Sequence, residues 1–265
     1  MTMSRSKFFV RMKFAGSDVR KIAFGSISNQ GARNYQEDSF GFSSFEKENV
    51  KNYGFAAVVA DGMGGLSGGD KVSAYVVSSM LELQKSRNTA IPVHIHLAQS
   101  LRAINSSVLS SGIKGGSTAV VVICLPCGVH WCTAGDSRVY LFRNGRLTAL
   151  NEDSDYMNEL IEQVISGDMT YEEAEENTKK DALAQYVGFK GGITPDGNSK
   201  PFIPINNDKL LLCSDGVYNA LTSAELIESL AFGASEAANI IENRVLAKGY
   251  SNQDNFTAVV LEFIK

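Results

Sequence analysis

Proline, cysteine, histidine and tryptophan are all scarce in this chain of 265 residues, with five Pro, four Cys, three His and one Trp. So few cysteines exclude a disulfide scaffold, and so few prolines exclude a collagen-like chain. No stretch approaches the ~18 consecutive apolar residues of a membrane span. The opening segment MTMSRSKFFVRMKFAG interleaves basic residues with apolar pairs, and it lacks the apolar core of about 7–15 residues that an export signal needs. Positive charge is also short. There are 25 Lys+Arg against 29 Asp+Glu, a net charge of -4, and that sign repels nucleic-acid phosphates and anionic lipid. The expected setting is cytoplasmic, where thiols stay reduced.

What remains is the composition of a folded chain with a surplus of glycine. Apolar residues make up 44% and charged residues 20%, enough for a sizeable core, and a single domain over 1–265 is expected. The 24 glycines place turns on a residue that tolerates positive φ and lets backbone approach a ligand closely. Strand-like runs fall at 22–28, 55–60, 118–125, 129–133, 139–143, 146–150, 201–205, 210–213 and 256–264. Asn144-Gly145 signals a hairpin. Helical faces run through Val72, Val76 and Leu83 and through Leu97, Leu101 and Val108. Further helices are expected from a capping box at Thr222 and Glu225, and over 235–248 with Gly249 as the stop. Strands in hairpins with helices in pairs predict an α+β fold of antiparallel sheets covered by helices. The polar, acidic segment 151–200, with short helices at 157–165 and 170–177, reads as an insertion over the core that gates or selects substrate.

Among chemistry-bearing residues, Cys124, Cys127 and Cys132 form one C-x2-C plus a third thiol, without the second pair that a zinc ribbon requires. Core and turn cysteines are the expectation, as for Cys213 in KLLLC. His94, His96 and His130 read as helix-surface or strand histidines. The carboxylates carry more information. Asp61 follows FAAVVA, Asp215 follows KLLLCS and Asp136 follows VHWCTAG, each at the exit of an apolar strand. Asp254 stands just before the last strand, and Glu37-Asp38 lies in the loop GARNYQEDSF. A carboxylate beside buried backbone is costly unless paired or bound to a cation. One Asp-Gly after a strand is usually only a turn; several acids so placed suggest one cation-binding rim. Hard oxygen donors without a matching Cys/His set point to Mg²⁺ or Mn²⁺.

Six segments then stand in the order and rough spacing of the metal-dependent (PPM, type 2C) protein serine/threonine phosphatases: GARNYQEDSF, ADGMGG, GGSTA, AGDSR, CSDGVYNAL and NQDNFTAVV. The chain resembles that family, in its bacterial form, from about Gly25 onward. The resemblance implies a four-layer α-β-β-α sandwich with a flap insertion at about 151–200. It implies Arg33 as the phosphate binder, and Glu37, Asp61 and the Gly62 carbonyl as ligands of one metal. Asp215 and Asp254 match ligands of the other, and Asp61 the acid that bridges the two. Asp38 matches an acid that holds metal-bound waters, Asp136 an acid that with Asp215 holds a third, weaker ion in many members, and Asn255 a neighbouring hydrogen bonder. The chemistry implied is hydrolysis of phosphoserine and phosphothreonine in proteins, the products of serine/threonine kinases, by a water bridging Mn²⁺ or Mg²⁺ ions and without a phosphoenzyme. A monomer is expected.

Three positions depart from the family pattern. Met63 stands where many eukaryotic members carry a His suited to protonating the leaving alkoxide, Gln36 replaces a more usual Asn, and Ser154 stands where His is common before the flap. The identity of the general acid is therefore open. Among rivals, a dinucleotide-binding turn in FAAVVADGMGGLSGGD fails because Ser67 stands where Gly or Ala is required and Asp61 would repel a pyrophosphate. KGGST lacks the P-loop order, and a two-metal nuclease would need a basic track. A catalytically inactive binding module of the same fold is the alternative, against which the full ligand set stands.

Overall fold

The computed structural model describes residues 9–64, 68–154, 156–178 and 182–265. Gly65, which closes the ADGMGG segment, and Ser67, on which the dinucleotide reading fails, lie outside the described residues. The first elements are β1 (Phe9–Arg11), β2 (Lys21–Asn29), β3 (Ser39–Phe42), α1 (Lys47–Tyr53), β4 (Phe55–Ala60) and β5 (Gly62–Met63). Then come α2 (Gly69–Lys85), α3 (Val93–Ser111), β6 (Gly116–Ser117), β7 (Ala119–Leu125), β8 (Gly128–Ala134), β9 (Arg138–Arg143) and β10 (Arg146–Ala149). The remainder holds α4 (Tyr156–Ser166), α5 (Tyr171–Glu175), β11 (Asp196–Gly197), β12 (Lys209–Cys213), α6 (Asp215–Tyr218), α7 (Ser223–Leu230), α8 (Ala234–Ala247) and β13 (Phe256–Ile264).

Two antiparallel sheets stack face to face. One has the order β1-β2-β13-β12-β9-β10, the other β11-β8-β7-β4-β3, and a ribbon of β5 and β6 stands apart. Strand alternation explains the layering, because successive side chains point to opposite faces. Phe55, Ala57 and Val59 of β4 meet Leu210, Leu212, Val259 and Leu261 of the other sheet in the central core. The intervening Ala56, Val58 and Ala60 pack instead on Val72, Val76, Leu97 and Leu101 of α2 and α3. On the other side Leu211, Ala258 and Val260 meet Leu226, Ala237 and Ile241 of α7 and α8. Both faces of each central strand are therefore dry, which is why FAAVVA and KLLLC read as unbroken apolar runs. The expected α-β-β-α architecture is the one observed.

Local signals held where the chemistry was explicit. Thr222 and Glu225 form a capping box at α7, Thr170 and Glu173 another at α5, and Asn144 and Gly145 make the β9–β10 turn with φ of +52° and +75°. Two expectations need correction. Residues 201–205 are not a strand; they make a single bridge, Phe202 to Val129, because Pro201 and Pro204 have no N–H to donate to a ladder. The segment read as loop after Glu37-Asp38 instead enters β3, an edge strand pairing Ser39–Phe42 with β4. With four half-buried residues it carries too short a pattern to announce itself.

Candidate active site

Every strand-end acid singled out above lies at one rim of the sandwich. Asp61 leaves β4, Asp136 sits between β8 and β9, Asp215 opens α6 directly after β12, and Asp254 precedes β13. A cavity of about 330 Å³ is lined by Glu37, Asp61, Gly62, Asp136, Asp215 and Asp254 together with Arg33. Asp38 lies behind it, 6% exposed, and accepts a hydrogen bond from Ser214 Oγ at 2.7 Å.

The supporting hydrogen bonds explain how a chain with these acids so far apart in sequence holds them together. Asn255 is 5% exposed. Its Oδ1 accepts from Glu37 N at 2.7 Å, and its Nδ2 donates to the carbonyls of Gln30 at 2.8 Å and Tyr35 at 2.9 Å. One buried amide thus pins the loop that carries Arg33 and Glu37 to the start of β13. Thr118 does the same for Asp61: its Oγ1 accepts from Asp61 N at 2.9 Å while its own N–H donates to Asp61 O at 2.8 Å. The β5–β6 ribbon holds Gly62 against Ser117. At Gly62 a Cβ would come within 2.5 Å of the carbonyl oxygens of Glu37 and Gly69, so only glycine permits this packing.

Electrostatics mark the rim as under-compensated. Burial, and then the charges of Asp38, Asp215, Asp136 and Asp254, hold the Asp61 carboxyl well above the usual carboxylate range. Burial likewise pushes Asp38 and Asp136 up to about 6 and raises Asp215. Among the described residues Arg33 is the cation in the cavity lining; its Nη2 pairs with Asp254 Oδ2 at 2.6 Å, which raises its own pKa. One guanidinium facing five carboxylates leaves a strong negative potential that bound divalent cations would neutralise. Asp38 Oδ1 is buried without a hydrogen-bond partner, an acceptor whose chemistry suits a donor such as an ion's water. Among the described residues, no three His, Cys, Asp or Glu side chains are already closed around a single point so as to hold an ion. The donor chemistry and the charge balance fit hard divalent cations.

Sequence reasoning missed the support beneath Asp136. Arg138 makes a paired contact with Asp153, with Nε to Oδ1 at 2.9 Å and Nη2 to Oδ2 at 2.6 Å. Its guanidinium carbon sits 3.7 Å from the centre of the Tyr218 ring, and Tyr218 donates to the Asp136 carbonyl at 3.0 Å. The only signal was Arg138 standing two residues after Asp136 in AGDSR. Leu183 of the segment 151–200 lines the cavity, and that segment is stitched to β6 by paired backbone bonds between Val187 and Ser117. His94 and His96 lie on α3, and His130 is buried in β8; none lines the cavity. Cys124, Cys132 and Cys213 are buried and Cys127 is exposed, all four as free thiols.

The family model for protein phosphatase 2C matches residues 22–185. The chain belongs to the protein phosphatase 2C family. This phosphatase is 30% identical over 242 residues to a serine/threonine phosphatase, stp, of Listeria innocua, covering 87% of this chain and 91% of that one. It is 30% identical over 176 residues to the protein phosphatase PhpP of Streptococcus pneumoniae, covering 64% and 70% of the two chains. Among solved structures, PppA of Pseudomonas aeruginosa superposes with a TM-score of 0.72 at 25% identity over 93% of this chain and 99% of that one. The S. agalactiae serine/threonine phosphatase shares the fold with a TM-score of 0.75 at 21% identity, over 92% and 100%. The phosphatase is thus a protein serine/threonine phosphatase of bacterial type. No helix among its described residues is long and apolar enough to cross a membrane.

Proposed function

We propose that this phosphatase hydrolyses phosphoserine and phosphothreonine esters of proteins by direct attack of water, with two Mn²⁺ or Mg²⁺ ions on the acidic rim. The observation that carries the reading is the convergence of Glu37, Asp61, Asp136, Asp215 and Asp254 with Arg33 around one cavity. Glu37, Asp61 and the Gly62 carbonyl would hold one ion, and Asp61, Asp215 and Asp254 the other, with Asp136 and Asp215 open to a third. A family relative, the catalytic domain of PstP, was solved in complex with two manganese ions. When bound, such ions polarise the phosphoryl oxygens and make water a nucleophile near neutral pH.

The chain's own residues do the rest. Arg33 presents a planar fork suited to two phosphoryl oxygens, and it is more than half exposed, free to exchange Asp254 for a dianion. Asp38, buried behind the cavity, orients water through the oxygen that Ser214 leaves open. Met63 lines the cavity and has no ionisable proton, so the leaving alkoxide takes its proton from another donor. We read the chain as a single catalytic domain working as a monomer on the products of a serine/threonine kinase. Its free thiols support a cytoplasmic setting.

The test is hydrolysis of a phosphothreonine peptide by purified protein. Release of phosphate should require Mn²⁺ or Mg²⁺, stop on chelation, and be lost in Asp215→Asn. Activity that survives both chelation and Asp215→Asn would remove the mechanism.

A further inference from the structure

Beside the active-site cavity lies a second and larger one of about 730 Å³, built where the insertion crosses the end of α3. The two share Met63 and Gly64 in their linings, so they are continuous along the chain that leaves Gly62. The floor is apolar, with Ile113 from the α3 exit and Tyr186 from the insertion, and its charged residues among those described are Lys114 and Lys190. Both lysines are exposed, and neither has a carboxylate partner among the described residues. Among the described residues no Asp or Glu lines this cavity, a local reversal in a chain whose net charge is -4.

We propose that this groove seats the polypeptide flanking the phosphorylated residue, and that its two lysines select acidic flanks. The inference rests on the phosphatase reading of the adjoining cavity. A protein substrate with its phosphate at Arg33 must lead its chain away from a rim crowded with carboxylates, and an acidic chain would be repelled along every path lined by them. The groove offers the opposite: an apolar bed for side-chain stems and two ammonium groups for carboxylates. Tyr186 and Lys190 belong to the insertion, while Lys114 belongs to the core, so the selecting pair straddles the boundary between them. Reading of the flank then depends on how the insertion sits on the core. Two partly solvated ion pairs give a preference of roughly tenfold at low salt, falling as salt screens them.

The experiment compares kcat/KM on three phosphothreonine peptides whose flanks are acidic, neutral or basic, at low and high salt. Wild type should favour the acidic peptide about tenfold at low salt and much less at high salt. Lys114→Glu/Lys190→Glu should invert the order, favouring the basic peptide, an outcome that misfolding does not produce. Equal kcat/KM on all three peptides with wild type, or an acidic preference kept by the double variant, overturns the proposal. Calorimetric titration of the same acidic peptide without its phosphate separates the two layers of the argument. Binding to wild type that is lost in the double variant upholds the groove even if no hydrolysis is found, whereas hydrolysis without flank preference upholds the phosphatase and removes the groove. Competition by inorganic phosphate alone at Lys114 and Lys190 would make it a small-anion site and would also overturn the proposal.

Discussion

Replacing Asn255 with Ala tests whether one buried amide assembles the site. The side chain makes three hydrogen bonds, to Glu37 N and to the carbonyls of Gln30 and Tyr35, each contributing about 1 kcal/mol net. Their loss is unequal. The Gln30 and Tyr35 carbonyls also sit in part-buried bonds, but each keeps a second lone pair on an otherwise exposed residue, so losing the amide costs less there. The Glu37 N–H lies in a part-buried setting, and stranding it costs about 1–3 kcal/mol. The expected total is about 2–4 kcal/mol, which for a chain of this size lowers Tm by roughly 5–12 °C. Because the loop so released carries Arg33 and Glu37, the Mn²⁺ concentration for half-maximal activity should rise about 10–100-fold. Asn255→Asp keeps an acceptor for Glu37 N but sets a buried carboxylate against the Gln30 and Tyr35 carbonyl oxygens in an already acidic rim, so its Tm should fall at least as far. Thermal melts and metal titrations of phosphopeptide hydrolysis give both readouts. An Asn255→Ala protein within 1–2 °C of wild type and with an unshifted Mn²⁺ requirement would refute the argument.

Arg33→Ala should change Tm by less than about 3 °C, since the lost ion pair is solvent-screened, yet lower kcat/KM about 100-fold by removing the phosphate's donor; stopped assays and melts separate the two. In chelated protein, Asp38 and Asp136, both raised to about 6, bind protons more tightly folded than unfolded. Their contribution is therefore present below about pH 4 and lost as pH rises through about 6, up to about 3 kcal/mol for each group. Melts across pH 4–7 should show this decline and its reversal by Mn²⁺, and a flat profile would contradict it. Gly216→Ala would drive a Cβ into the Asn255 carbonyl oxygen, whereas Gly233→Ala meets its nearest neighbour, Glu262 Oε2, at an ordinary 3.6 Å. The first should lose several kcal/mol in urea unfolding and the second only a few tenths.

Asp61, Asp136 and Asp215 were legible because each follows a strand whose two faces are both dry, so FAAVVA before Asp61 and KLLLC before Ser214-Asp215 announce themselves without help from neighbours. β3 was not, because an edge strand of four half-buried residues carries no period long enough to detect. Residues 201–205 misled for the opposite reason: alternating apolar residues suggested a strand that Pro201 and Pro204 prevent. The supporting side chains were the least visible. Thr118 and Tyr218 look like ordinary β-sheet and helix residues until tertiary structure places their hydroxyls on Asp61 and Asp136. Nothing in a linear spacing shows that Arg138 reaches Asp153.

The pairing of β2 with β13 runs in register from Lys21 opposite Ile264 to Asn29 opposite Phe256, joining segments more than 200 residues apart. Glu37 follows one of these strands and Asp254 immediately precedes the other, so the two acids meet only after β13 has been synthesised and docked. A nascent chain that lacks β13 can pair β3 with β4, which sets Glu37 beside Gly62, but it has neither Asp254 nor the Asn255 amide that pins the loop of Arg33 and Glu37. Catalytic competence arrives with the closing strand, which makes premature termination upstream of it a null allele rather than a partly active one.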